Sequence, residues 1–284
     1  MMNRSLIFLL FFLAEMLGCC AGPKPVTQAA AIGDEHNLVI SNRTFANQNI
    51  ADLLKASDGR SVIRVEFQRC TFQGATTVSP LPNTYQGFPV GLFFKDCTFE
   101  DALNFQSVTF SGQVDFSKCQ FKKDLIVRNA VFMAPAGFRE CGIDGEAGFQ
   151  NCLFLKESTW LGTYFYNLAL FQGSRFMKPA QFQNVHFTGN CDFTQCRFEE
   201  GGIFDFCIAQ GKMDFTESRQ EGLMTFRKSV LQKGLNLNKF RSFAPLRLFD
   251  TRFEDSLRIR DFRWFAEKPE LLNPQGAAAP NYGF

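Results

Sequence analysis

The residues of this chain that could carry out chemistry are ten cysteines, two histidines and a few neighbouring carboxylates. Ten cysteines would suit a disulfide framework in an exported protein, or a set of zinc ligands. No metal site is expected, because the chain has no Cys-x-x-Cys motif and its two histidines lie far apart. The carboxylate pairs Glu199-Glu200 and Glu254-Asp255 resemble an acid and a base in composition only, because both fall in turn-forming segments where solvated side chains are expected.

The elements that must position these residues follow an eleven-residue repeat of large apolar side chains. The first series is Phe94, Phe105, Phe116, Val127, Phe138, Phe149, Trp160, Phe171, Phe182, Phe193, Phe204, Phe215, Phe226, Leu237, Leu248 and Ile259. The second series lies five residues later, at Phe99, Phe110, Phe121, Phe132, Ile143, Phe154, Phe165, Phe176, Phe187 and Phe198, and weakens before Phe253 and Trp264. A fixed period predicts stacked units that bury their apolar faces on one another.

The spacing of the two series predicts strands and excludes a long helix. At about 100° per residue, the two series would point to nearly opposite sides of a helix and leave a phenylalanine stripe in solvent. A small residue stands two positions before each large one, and residues two apart in a strand face the same way. Each unit is therefore expected to place a small and a large side chain inward, followed by a turn rich in Gly, Asp, Asn and Lys.

This unit resembles the pentapeptide-repeat proteins, whose pattern is a small residue, any residue, a central Leu or Phe and two polar residues. The clearest pair of units is Ala147-Gly-Phe149-Gln-Asn151 and Cys152-Leu-Phe154-Leu-Lys156. The chain departs from the pattern by one extra residue in alternate units, over roughly residues 60–264. The resemblance implies an all-β fold, a right-handed quadrilateral β-helix. Four sides then make a coil of about 22 residues, with about eight coils between Phe94 and Trp264.

Eight of the ten cysteines occupy the small inward position, where a free thiol packs as a small apolar group. They are Cys70, Cys97, Cys119, Cys141, Cys152, Cys191, Cys196 and Cys207. Parallel Cβ vectors on stacked strands suit a disulfide poorly, so free thiols are expected.

The N-terminus is expected to be a lipoprotein signal peptide, residues 1–18. Arg4 precedes an apolar stretch that is too short to span a membrane, and Leu17-Gly-Cys19 resembles the bacterial lipobox. The resemblance implies lipidation of Cys19, with Cys20 as the alternative, and palmitate among the attached acyl chains. An ordinary signal peptide cut near Ala21 is the other interpretation. Export, lipid anchoring and, in a diderm host, an outer-membrane position facing the periplasm follow as expectations.

Four further segments are expected after the lipid cysteine. Residues 19–36 are interpreted as a flexible tether, and residues 37–60 as an N-terminal cap with a short helix from Ala46 to Ser57. The β-helix is expected over residues 61–264 and a tail over residues 265–284. A cap is expected because the open end of a β-helix exposes unpaired strand edges.

Two sets of outward residues stand out as candidate surfaces, one apolar and one basic. The apolar belt comprises Leu153, Leu155, Leu161, Tyr164, Tyr166, Leu168, Leu170 and Met177. The basic set comprises Arg247, Arg252, Arg258, Arg260 and Arg263. It belongs to a segment, residues 219–263, with eleven basic and five acidic residues, a net +6 in a chain of +2. This segment could face anionic headgroups or cell-envelope polymers.

These features favour a non-enzymatic envelope lipoprotein whose rigid β-helix binds another envelope protein, and they allow a homodimer. No catalytic motif and no cofactor fingerprint is present. The alternative is a glycan-binding or glycan-active β-helix, for which Asp250, Arg252 and Arg258 are the candidate groove residues. Some pentapeptide-repeat proteins mimic DNA and inhibit gyrase. The export signal and the positive charge disfavour that function here, and no nucleic-acid partner is expected.

Overall fold

The computed structural model describes residues 36–55, 62–78, 87–273 and 275. The signal peptide, both candidate lipid cysteines, nearly all of the tether and the end of the tail lie outside these residues. Within them the chain winds through four parallel β-sheets in turn, and each sheet forms one face of a β-helix. The faces are numbered here in the order in which the chain visits them, so the first face does not adjoin the third, nor the second the fourth.

Short strands make up every face, because the chain turns after each small-x-large unit. The first face contains Asn37–Ser41, Arg64–Gln68, Gly91–Lys95, Val114–Ser117, Ala136–Arg139, Ser158–Thr159, Ala180–Gln181, Gly202–Ile203, Met224–Arg227, Leu246–Phe249 and Glu270–Leu272. The second face contains Thr44–Ala46, Thr71–Gln73, Thr98–Phe99, Gln120–Phe121, Gly142–Ile143, Tyr164–Phe165, His186–Phe187, Ile208–Ala209, Val230–Leu231 and Arg252–Phe253.

The other two faces are built in the same way. The third face contains Thr76–Thr77, Leu103–Asn104, Leu125–Ile126, Ala147–Gly148, Ala169–Leu170, Cys191–Asp192, Met213–Asp214, Leu235–Asn236 and Leu257–Arg258. The fourth face contains Gly87–Phe88, Thr109–Phe110, Val131–Phe132, Leu153–Phe154, Arg175–Phe176, Arg197–Phe198, Arg219–Gln220, Arg241–Ser242 and Arg263–Trp264. The β-helical fold predicted from the repeat is therefore confirmed.

The large residues form columns inside the β-helix, with ring stacked on ring from coil to coil. Phe94 packs on Phe116 with ring centroids 4.6 Å apart and planes 5° apart. Trp160 and Phe182, further along the same column, are 4.3 Å apart. Neighbouring strands pair 22 residues apart, as in Val114 with Ala136, so the predicted coil length is confirmed. Burying each ring contributes roughly 1.5–3 kcal/mol before the entropy of ordering the chain is subtracted.

The β-helix extends beyond both expected boundaries. Residue 61 was expected to begin it, but Asn37–Ser41 already pairs with Arg64–Gln68, and Phe45 stacks on Phe72 at 5.0 Å. That part of the assignment of residues 37–60 to a cap is wrong, since Phe45 supplies an inward ring as the later units do. At the other end, Glu270–Leu272 adds a strand to the first face inside the segment assigned to the tail.

The helix observed at the N-terminal end is shorter than expected, from Ile50 to Lys55. It cannot begin at Ala46, because that residue belongs to a strand of the second face. The Asn49 side-chain oxygen accepts a hydrogen bond from the Ala51 N–H at 3.1 Å, as a helix-capping side chain does. Ile50 and Ala51 are buried against the end of the core. The helix thus packs on the first coil, in agreement with a short helical cap.

Candidate interaction site

The interior contains no reactive site among the described residues, because its small polar side chains serve the backbone. Each donates a hydrogen bond to the carbonyl of a first-series residue one coil earlier. Ser174 donates to the Phe149 carbonyl at 2.6 Å, and the Cys152 thiol donates to the Val127 carbonyl at 3.1 Å. The other members of the set are Cys119, Cys141, Thr163, Cys196, Cys207, Ser218, Ser229 and Thr251.

The cysteines in this interior are unreactive thiols. All eight inward cysteines are buried and free, as the repeat predicts. Burial raises the pKa of the Cys152 and Cys207 thiols to about 12, far above the range in which a thiolate nucleophile forms. Among the described residues, no three His, Cys, Asp or Glu side chains come close enough to hold a metal ion.

The carboxylate pairs noted in the sequence are engaged in ion pairs on the surface. Glu199 binds Arg175 at 2.7 Å, and its neighbour Glu200 binds Lys178. Glu254 binds Arg252 at 3.1 Å. These contacts place each carboxylate beside a base from the same or the next coil. They are contacts of a charged surface, and the geometry offers no paired acid and base.

The apolar belt does not form one patch, because the coil carries its members around the prism. Leu153 lies on the fourth face, Leu155 and Met177 at the corner after it, and Leu170 on the third face. These four side chains are half-buried. The remaining members follow one another along the second face and its corners, and all of them are exposed. They are Leu161, Tyr164, Tyr166 and Leu168, called here the aromatic cluster.

The aromatic cluster is held together by ring contacts across two coils. Tyr164 and Tyr166 pack with centroids 6.0 Å apart and planes 21° apart. The His186 ring, from the next strand of the second face, meets Tyr164 edge-on at 4.3 Å. Partial burial lowers the pKa of His186, so the imidazole is neutral at neutral pH. Tyr164 and Tyr166 nevertheless remain 41% and 51% exposed, so the cluster is an uncharged, solvent-facing apolar surface.

The five basic candidates are not brought together either. Arg247 lies on the first face, Arg252 on the second, Arg258 on the third and Arg263 on the fourth, with Arg260 at a corner. Arg247 forms an ion pair with Glu270, and Arg260 lies 3.8 Å from Asp261. The expectation of a single cationic surface from these residues is therefore wrong. Residues close in sequence leave a coil in four different directions.

A column of five arginines on the fourth face was missed when the sequence was examined by segments. The arginine column comprises Arg175, Arg197, Arg219, Arg241 and Arg263. Each arginine occupies the outward position of its strand and pairs in register with the next one. The signal was present in the sequence as a 22-residue recurrence of Arg before the second-series position. Only the assignment of one coil to four sides makes that recurrence a column.

Comparison with known protein families agrees with this geometry. A family model described as pentapeptide repeats (9 copies) matches residues 94–142, 161–208 and 171–219. The chain carries pentapeptide repeats. These repeats form a structural scaffold, and the match points to no catalytic activity. No curated protein and no solved structure matches the chain. None of the described helices is long and apolar enough to cross a bilayer.

Proposed function

We propose that this protein is a lipid-anchored, non-enzymatic scaffold of the cell envelope, which binds another envelope protein through its aromatic cluster. The observation that carries the proposal is the exposure of Leu161, Tyr164, Tyr166 and Leu168 side by side on a β-helix whose other large side chains mostly point inward. Contiguous exposed apolar surface with tyrosines is typical of protein interfaces.

The rigidity of the β-helix supports docking on this surface. The cluster stands on two-residue strands whose neighbours pair above and below, as Tyr164 does with Gly142 and His186. The rings are therefore held in place before a partner arrives, which lowers the entropic cost of binding. The neutral His186 beside them adds no charge that a partner would have to desolvate.

The N-terminal sequence supports the anchor. A short apolar stretch followed by Leu17-Gly-Cys19 is the pattern of a lipidated export signal. One acyl chain gives only weak membrane binding, whereas the several chains of a lipoprotein anchor stably. In a diderm host we place the protein at the outer membrane, facing the periplasm.

The docking proposal is tested by crosslinking in intact cells. A photo-reactive amino acid at position 166 is expected to capture one defined envelope protein, identified by mass spectrometry. Leu161→Asp or Tyr164→Asp is expected to abolish that product, because each buries a charge in the interface. Thr98→Asp, an outward change on the same face away from the cluster, is the matched control. Loss of the product with Thr98→Asp, or its persistence with both cluster variants, would remove the cluster as the docking surface.

The anchor is tested separately. Cys19→Ala is expected to abolish labelling by a palmitate analogue and to release the protein from the membrane fraction, whereas Cys20→Ala should leave both unchanged. Unchanged labelling in both variants contradicts the anchor. A crosslinked product with the mass of two copies of this chain would identify the partner as a second copy.

A further inference from the structure

The arginine column on the fourth face differs from every other charged contact between coils. Elsewhere, opposite charges recur 22 residues apart, as in Lys118 with Glu140 and Lys239 with Glu217. In the arginine column, five like charges stand on successive strands about 4.8 Å apart, along about 19 Å of the β-helix axis. Like charges directly opposite one another are destabilising in a sheet. The arrangement therefore lowers stability unless an external anion binds there.

Only two of the five arginines are neutralised within the described part of the chain. Arg175 binds Glu199 and Arg219 binds Glu221, each at 2.7 Å. No ion pair among the described residues involves Arg197, Arg241 or Arg263, and all three are exposed. Arg197 and Arg241 stand two strands apart on either side of Arg219. Two free guanidinium groups about 10 Å apart can each bind a carboxylate through two parallel hydrogen bonds.

A groove runs beside the arginine column and gives it the shape of a binding site. The groove has a volume of about 500 Å³. The arginines line one wall, and Gln195, Glu217 and Lys239 line the other. Both Glu217 oxygens are already engaged, one by Gln195 at 3.1 Å and one by Lys239 at 2.8 Å. The acid thus neutralises its own wall and leaves the arginine wall positive.

The charge of the arginine column is confined to a narrow strip. Glu199 and Glu221 border it on one side, and Glu217 borders it on the other. A broad anionic surface such as a membrane would meet these carboxylates as well as the arginines. A single anionic chain lying along the strip would avoid them. The electrostatic pattern therefore favours a linear polymer over a lipid surface.

Aromatic rings at the upper end of the arginine column favour a polysaccharide among linear polyanions. Phe243 and Phe265 stack at 4.4 Å at the adjoining corner, and Phe265 is 57% exposed. The Arg219 guanidinium lies 4.3 Å from the centre of the Phe243 ring. Exposed aromatic rings pack against the apolar faces of sugar rings. The length of one pyranose unit in an extended polysaccharide is also close to the strand spacing.

We propose that the groove beside Arg197, Arg219 and Arg241 binds an acidic polysaccharide, with carboxylates on the arginines and sugar faces against Phe243 and Phe265. This site is independent of the aromatic cluster, because the second and fourth faces do not adjoin. Binding weakens as salt increases, since exposed charges are screened over about 10 Å at 0.1 M ionic strength.

The experiment measures binding of fluorescent hexagalacturonate, which carries one carboxylate per ring, to the full-length protein in non-ionic detergent. The double variant Arg197→Gln/Arg241→Gln is expected to weaken binding by about tenfold or more, since it removes two charge-assisted contacts. The matched double variant Arg252→Gln/Arg258→Gln removes the same charge from exposed positions of other faces and should change binding less than about twofold. Cellohexaose, which is uncharged and of equal length, should not compete.

Three results would overturn the site. One is an equal loss of binding in the two double variants, which would indicate unspecific attraction to net charge. Another is preferential, Arg197- and Arg241-dependent binding of phosphatidylglycerol vesicles or of single-stranded DNA over hexagalacturonate, which would assign the column to a membrane or a nucleic acid. The third is no binding of hexagalacturonate to the unaltered protein at low salt.

Discussion

At the scale of single residues, the inward small positions do more than fill space. The cysteines were interpreted as small apolar groups, and their burial agrees with that interpretation. The structure adds that Cys, Ser and Thr after the first-series residue donate a hydrogen bond to a carbonyl one coil earlier. The sequence shows the size of these side chains directly. Their donor role depends on a carbonyl 25 residues away, which no local pattern reveals.

Two buried serines offer a matched test of this donor role. Ser174 donates to the Phe149 carbonyl and accepts the Cys152 N–H, whereas the Ser158 hydroxyl has no partner among the described residues. Ser174→Ala is expected to cost about 1–3 kcal/mol, because it leaves two buried backbone groups unpaired. Ser158→Ala is expected to be neutral or slightly stabilising. Urea unfolding at constant m-value measures both, and an equal effect of the two substitutions would contradict the donor role.

A second residue-scale finding explains where the second phenylalanine series weakens. Ser242 stands in a large position, but Phe240, two residues earlier, is fully buried in the small position of the same strand unit. Gln220 is also buried in a large position, and its amide donates to the Ala244 and Pro245 carbonyls at 2.8 Å. The core volume is kept in one case and the polar group is satisfied in the other, so the fold continues through the weakened repeat.

At the scale of elements, the corners explain why sides of five and six residues alternate. A residue with φ between +50° and +62° follows each first-series position by two, as at Asp96, Ser107 and Lys118. This left-handed residue turns the chain within a five-residue side. The corners after second-series residues contain the sixth residue and have right-handed conformations at most coils. The left-handed corners use Asn, Asp, Lys, Ser, Glu, Gln, Gly and once Phe, so composition alone would not have located them.

Two glycines with positive φ test the difference between corner types. Gly162, at φ 68°, stands in a column where other coils have side chains, and an added Cβ would lie 3.4 Å from the nearest atom, Glu140 Cγ. Gly162→Ala should cost only the left-handed penalty of about 1–2 kcal/mol. Gly201, at φ 90°, would place a Cβ 1.9 Å from the Leu223 carbonyl oxygen. Gly201→Ala should therefore lower the melting temperature several times as much, and equal shifts would show that the corners are equivalent.

At the scale of the whole molecule, the β-helix is a one-dimensional stack whose coils contact mainly their neighbours. Rings continue from coil to coil in the same column, as Phe94, Phe116 and Phe138 do at 4.6 and 5.2 Å. Stability in such a stack is close to a sum over coils and their interfaces. The two ends differ from the middle, because the helix Ile50–Lys55 closes one and the strand Glu270–Leu272 extends the other.

Deleting one whole coil tests this description. Removing residues 114–135 brings Ala136 next to Gln113, so Ala136–Arg139 can pair with Gly91–Lys95 and Phe138 can stack on Phe94. The shortened protein is expected to unfold cooperatively, with stability reduced by one coil's share. Removing residues 120–135 instead deletes three sides and puts first-series residues over second-series corners. That variant should fail to fold, as judged by circular dichroism, and equal folding of both deletions would contradict a register set by whole coils.

From the printed sequence alone follow the β-helix, its 22-residue coil, the inward columns and the burial of eight cysteines. They follow because each depends on a period that is written along one chain. Which outward residues share a surface was decided only in three dimensions. Leu161 and Tyr164 stay together while Leu153 and Leu170 leave for other faces, and the arginines after residue 240 scatter around one coil while those 22 apart align. Surface adjacency depends on the turn at each corner and on strands one coil apart. Neighbours in sequence therefore separate, and distant residues meet.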